Sequence, residues 1–145
     1  RNNVFFIGRG NDAAVAYEGS LKLKEISYIN SFAIAAGELK HGTIALIEQD
    51  TLVIALATQD RLFDKMLSNI QEVKARGAFV VGIAKENNID RELQSEAVIY
   101  IPECMDYITP LLSIVPLQLL AYYIAKLRGC DIDKPKNLAK SVTVE

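Results

Sequence analysis

The chain has 145 residues, 50% of them hydrophobic and 23% charged, with a formal net charge of −2 at pH 7. That is one ordinary domain, long enough to bury a core without disulfide staples. The slightly acidic balance excludes the basic surface that grips nucleic-acid phosphates, so no nucleic-acid partner is expected.

Taken in chain order, NVFFIGRG (3–10) is a β-branched and aromatic run ending in glycines, a buried strand followed by a turn. The opening RNNVFF has neither Met nor an apolar leader and reads as part of something longer. Asp12 is placed to cap a helix over 13–29, AAVAYEGSLKLKEISYI, with Gly19 its weak point. SFAIAAG (31–37) predicts a short strand, and GELKHG (37–42) a flexible polar loop holding the single histidine, His41. TLVIALA (51–57) is a strong strand, and DRLFDKMLSNIQEVKARG (60–77) an amphipathic helix stopped by Gly77. AFVVGIA (78–84) and AVIYIP (97–102) are further strands, separated by the polar KENNIDRELQ. Thr109 and Pro110 provide a cap and a first-turn proline for a helix to Leu127, kinked at Pro116. Its apolar stretch, 110–125, is short for a bilayer and contains Pro116 and Gln118, so it predicts a buried or subunit-contact helix and no membrane partner. The tail, 129–145, has no clear period, although Val142 and Val144 alternate with polar residues in a way that allows docking. Cys104 and Cys130 match no metal spacing and read as reduced thiols, in keeping with a cytoplasmic chain.

Alternating strands and helices predict an α/β fold, because parallel neighbours require crossovers. The product is a parallel sheet between two helical layers, a three-layer αβα sandwich. Ligands in such sheets bind at the carboxyl ends of the strands, here the loops after Ile7, Ala57, Ala84 and Pro102.

Four constellations carry possible chemistry. Gly8-Arg9-Gly10-Asn11-Asp12-Ala13 matches a loose dinucleotide fingerprint, but no acidic partner ends the second strand, so a tight strand-to-helix turn is favoured. Glu18, Lys22 and Glu25 share one helix face, which is either a solvated ion-pair face or a proton-transfer group. His41 has no metal-forming neighbours, which leaves surface polarity or acid–base work near neutrality. KPKNLAKSVTVE (134–145) is either a frayed end or a docked one.

LKLKEISYI (21–29), AAGELKHG (35–42) and NLAKSVTVE (137–145), in this order, resemble the C-terminal part of the glutamine–fructose-6-phosphate aminotransferases. The resemblance runs from Gly8 to Glu145. It implies a single SIS (sugar isomerase) domain over 1–145, with a flavodoxin-like sheet and a catalytic tail at 129–145. It implies a parent enzyme with a glutaminase domain and a first SIS domain, making glucosamine 6-phosphate from fructose 6-phosphate and glutamine without a cofactor. By position in the motifs, Lys140 resembles the Schiff-base lysine, with Ala139 beside it at the substrate. Glu25 resembles the carboxylate that shuttles a proton between C1 and C2. Lys22 resembles the lysine serving the sugar hydroxyl and ring oxygen. His41 resembles the histidine that assists ring opening in the neighbouring subunit of a homodimer. The chain departs from the family pattern at Asn30, Thr43 and Lys136, where histidine, proline and arginine are frequent. The loop ATQD (57–60) lacks the hydroxyls of a phosphate cradle, so the phosphate grip is assigned to the first SIS domain. The rival readings are a non-catalytic SIS module that binds a sugar phosphate, and a nucleotide-binding domain.

Overall fold

The computed structural model describes residues 3–138. Five strands, β1 (Asn3–Gly8), β2 (Asn30–Ala35), β3 (Leu52–Ala57), β4 (Phe79–Lys85) and β5 (Ala97–Ile101), form one sheet in the order β2-β1-β3-β4-β5. Every pairing is parallel. This is the flavodoxin-like order, in which the connections reverse direction between β1 and β3.

Strand periodicity distributes the core to two faces. Phe5, Ile7, Val53, Ala55 and Val80 point to one face and pack on helix α2 (Phe63–Lys74) through Phe63, Met66, Ile70 and Val73. Val4, Phe6, Ile54, Leu56 and Ile83 point to the other, beneath helices α1 (Asn11–Ser27) and α3 (Thr109–Leu127). Two buried layers on one sheet give the expected αβα sandwich.

Two glycines fix close approaches. A Cβ on Gly8 would stand 2.5 Å from the Asp12 carbonyl, so the β1–α1 turn closes only without one. Gly19, the expected weak point of α1, lies against α3. A Cβ there would meet Leu117 Cδ1 at 2.5 Å.

Several local expectations are corrected. Asp12 does not cap α1; Gly10 occupies the cap position and the Asp12 side chain turns inward. Thr109 is the first residue of α3 rather than its cap, and its hydroxyl donates to the Met105 carbonyl. The helix expected from Asp60 starts at Phe63, after a 3-10 turn over Asp60–Leu62. The segment 37–42 is not a free loop. Ala36–His41 forms a 3-10 helix, pinned because Leu39 is buried in the core beside α2.

α3 continues through Pro116. By length and composition it is apolar enough to cross a membrane. Here Leu117, Ala121 and Ala125 bury an inner stripe, while Leu111 (71% exposed) and Leu127 (88%) lie on the outer side. The buried stripe is committed to α1 and the sheet.

Candidate functional site

The helical spacing of Glu18, Lys22 and Glu25 places the lysine between two carboxylates. Lys22 Nζ donates to Glu25 Oε2 at 2.8 Å and lies 3.5 Å from Glu18 Oε1. The bond to Glu25, supported by the charge of both carboxylates, raises the Lys22 pKa above the ordinary lysine value. At neutral pH Lys22 is therefore an ammonium, able to steady negative charge on an oxygen but not to act as a base.

α1 is capped at its C-terminus by Tyr28, whose left-handed backbone (φ 59°) turns the chain into β2. The phenol of Tyr28 accepts a hydrogen bond from the Lys136 backbone N–H at 2.6 Å. Arg128 Nε donates to the Ser27 carbonyl at 3.1 Å, satisfying an orphan acceptor at the helix end. These bonds seat the start of the tail on the end of α1. Glu25, Leu21 and Tyr28 face Lys136, Asn137 and Leu138 across an open groove of about 320 Å³. The tail is thus tied to the end of α1 as far as Lys136, with Asn137 and Leu138 bordering the groove; Ala139 and Lys140 lie outside the described residues.

His41 is elsewhere. It closes the 3-10 helix after β2, is 74% exposed, and has Nε2 3.8 Å from Glu38 Oε2. In a parallel βαβ unit the helix runs back against the strands. Glu25 lies fourteen residues into α1, roughly 20 Å from its start at ~1.5 Å per residue. The carboxyl ends of the strands, where His41 lies, and the groove beside Glu25 are therefore at opposite ends of the sheet. One chain brings Lys22 and Glu25 together and leaves His41 apart.

Around the ends of β3 and β4 the strands' carboxyl edge is filled by the protein's own polar groups. The buried Asp12 carboxylate accepts from the Thr58 N–H at 2.8 Å and from the Thr58 hydroxyl, which ties the start of α1 to the end of β3 at the reversal point. Burial raises the Asp12 pKa, with the Thr58 bonds opposing it. Next to it, Lys85 Nζ donates to Asp60 (2.6 Å), Asp106 (3.0 Å) and the Cys104 carbonyl (3.2 Å). A nucleotide phosphate at this reversal point would face Asp12, so Gly8–Ala13 serves as the tight turn favoured from the sequence.

Sequence reasoning missed Tyr28 and the Asp60–Lys85–Asp106 group. A lysine ending an otherwise apolar strand run, as in AFVVGIAK, was the available signal for Lys85. Asp106 and Tyr28 gave none, because their partners are distant in the chain.

The family model for the SIS domain matches residues 1–128. The chain is 68% identical over 143 residues to a glutamine–fructose-6-phosphate aminotransferase [isomerizing] of Caldanaerobacter subterraneus, covering 99% of this chain and 24% of that protein. A Clostridium tetani protein of the same name is 61% identical over 145 residues, with 100% and 24% covered. The chain thus spans about a quarter of the length of these curated relatives. Among solved structures, the C-terminal domain of glucosamine-fructose-6-phosphate aminotransferase from Francisella tularensis superposes with a TM-score of 0.88 at 39% identity, over 92% of this chain and 38% of that one. On the parallel sheet, its strand order and the match over 1–128, the chain belongs to the SIS domain family.

Proposed function

We propose that this chain is the catalytic half of the isomerase domain of a glutamine–fructose-6-phosphate aminotransferase, which converts fructose 6-phosphate and glutamine-derived ammonia to glucosamine 6-phosphate. The observation that carries the reading is Glu25, held 2.8 Å from Lys22 beside the groove where the tail NLAKSVTVE begins. LKLKEISYI and the first two residues of the sequence-distant NLAKSVTVE, Asn137 and Leu138, border that groove together.

In this reading the Lys140 amine adds to the C2 carbonyl of the open ketose and releases water, giving an imine; ammonia then adds at C2 and expels the Lys140 amine, leaving the free ketimine. Glu25 then removes a proton from C1 and returns it to C2, work for one carboxylate within reach of both carbons. Lys22, a fixed ammonium, steadies the oxygen on which charge develops. Ala139 carries the backbone beside the substrate. His41 assists ring opening in the other subunit of a homodimer. Its separation from Glu25 within one chain supports action in trans. The exposed apolar side of α3 supports packing against further protein. Glutaminase and first SIS domains of the same parent supply ammonia and the phosphate grip, and the filled edge around Asp12 and Lys85 accords with that division. The domain is taken as one unit over 1–145 with its catalytic tail at 129–145, cytoplasmic and without a cofactor.

The test is Glu25→Gln in the full-length parent. The shape and one acceptor remain and the base is lost, so isomerisation stops while fructose 6-phosphate still binds. Near-normal turnover would reduce the α1 face to solvated ion pairs.

A further inference from the structure

A second cavity, of about 190 Å³, lies beside the carboxyl end of β1, between the Ala36–His41 3-10 helix and α2. Arg9, Lys40 and Lys65 border it, with Ser68, Asn69 and Glu72. Three cations thus face one carboxylate in a chain whose net charge is negative.

Arg9 is the informative residue. It is partly buried, and its Nε donates to Asn69 Oδ1 at 2.8 Å; Asn69 is itself buried. The guanidinium lies over Gly37, where a Cβ would come within 3.4 Å of both terminal nitrogens. Its orientation is therefore set from two sides. Yet no carboxylate within ion-pair distance and no acceptor for its remaining four N–H groups is found among the described residues. Lys65 likewise has no ion-pair partner among them. Lys40 is held by Glu72 at 2.8 Å, and that contact keeps the Glu72 pKa below the usual carboxylate value against the opposing effect of its burial.

We propose that this cavity binds a phosphate dianion. An oriented guanidinium with a free fork matches two oxygens of a tetrahedral anion. Lys65 supplies a second cation, and Lys40 a third once it exchanges Glu72 for the ligand. A water's share of liquid is about 30 Å³, so the space suits inorganic phosphate or the phosphate of a small monoester rather than a nucleotide. The occupant would touch the 3-10 helix that ends at His41, one residue beyond Lys40. The site is separate from the Glu25 groove and does not depend on the reaction proposed above.

The test is titration of inorganic phosphate into the 15N-labelled 145-residue chain at pH 7 in low-salt buffer, followed by NMR. Saturable shifts are expected at Arg9 Nε, Gly37, Lys40 and Asn69. Arg9→Gln should weaken binding by about tenfold or more, as loss of a charge-assisted bidentate contact requires. Glu72→Gln, which frees Lys40 and removes the one negative group, should tighten it. Acetate, with a single charge, should bind more weakly than phosphate. A fold-preserving Arg9→Gln with unchanged affinity, shifts centred away from these residues, non-saturable shifts, or acetate binding as tightly as phosphate would each overturn the proposal. The Glu72→Gln measurement stands even if Arg9→Gln fails to fold; weaker binding in it would also overturn the site.

Discussion

Lys85 offers an unequal pair of substitutions whose ranking follows from burial. Its side chain is 1% exposed, while those of its partners Asp60 and Asp106 are 48% and 40% exposed. Burial works against the ammonium, yet the bonds to the two carboxylates hold its pKa above the ordinary lysine value. Lys85→Met removes the desolvated charge, fills similar space, and leaves two carboxylates that water can reach. It should cost about 1–2 kcal/mol, small because exposed ion pairs contribute little and their partners rehydrate. Asp60→Asn with Asp106→Asn leaves the ammonium buried with only neutral acceptors, which should cost about 3–5 kcal/mol. Urea unfolding followed by circular dichroism at pH 7 and pH ~9.5 measures both, the upper pH lying below the ordinary lysine value of about 10.4. In the wild type, with the folded pKa raised, the Lys85 contribution is present below the unfolded value and is lost only as pH rises through the folded one, so it is flat across this window. In the double variant the folded pKa falls below the unfolded value. The unfolded state then binds more protons, and stability rises with pH by up to about 1.4 kcal/mol per unit. A Lys85→Met variant as damaged as the double variant, or a double variant whose deficit does not shrink at the higher pH, would refute the reasoning.

Other outcomes follow from single contacts. Gly8→Ala drives a Cβ into the Asp12 and Ala13 backbone, which cannot step aside, and should cost about 3 kcal/mol or more in urea unfolding. Gly19→Ala meets the movable tip of Leu117 and gains about 1 kcal/mol of helix propensity, so it should cost less than Gly8→Ala. Thr58→Val strips a bond from buried Asp12 and should cost about 1–3 kcal/mol at pH 7. Because the folded Asp12 pKa is raised, that deficit should shrink as pH falls through it and the carboxyl protonates. Tyr28→Phe loses the acceptor for Lys136 N–H; limited proteolysis should cut faster between Arg128 and Leu138, with the global melting temperature little changed.

The sequence by itself determined the layers. Apolar runs such as VFFI and LVIALA, separated by helical periods and punctuated by Gly10 and Gly77, leave little besides a parallel sheet with covered faces, since strand alternation and crossover length are local properties. It also determined the Glu18–Lys22–Glu25 cluster, because helical spacing brings those groups together wherever the helix lies. Tertiary structure alone decided what each group faces. Asp12 reads as a cap from its neighbours, yet the β1–β3 reversal sets Thr58 against it and draws it inward. GELKHG reads as a loop from composition, yet one buried side chain, Leu39, wound it into a 3-10 helix. Lys85 becomes a buried cation only because Asp60 and Asp106, 25 and 21 residues away in sequence, converge on it. The chain's direction through the sandwich, which no local pattern encodes, sets Glu25 and His41 at opposite ends of the sheet.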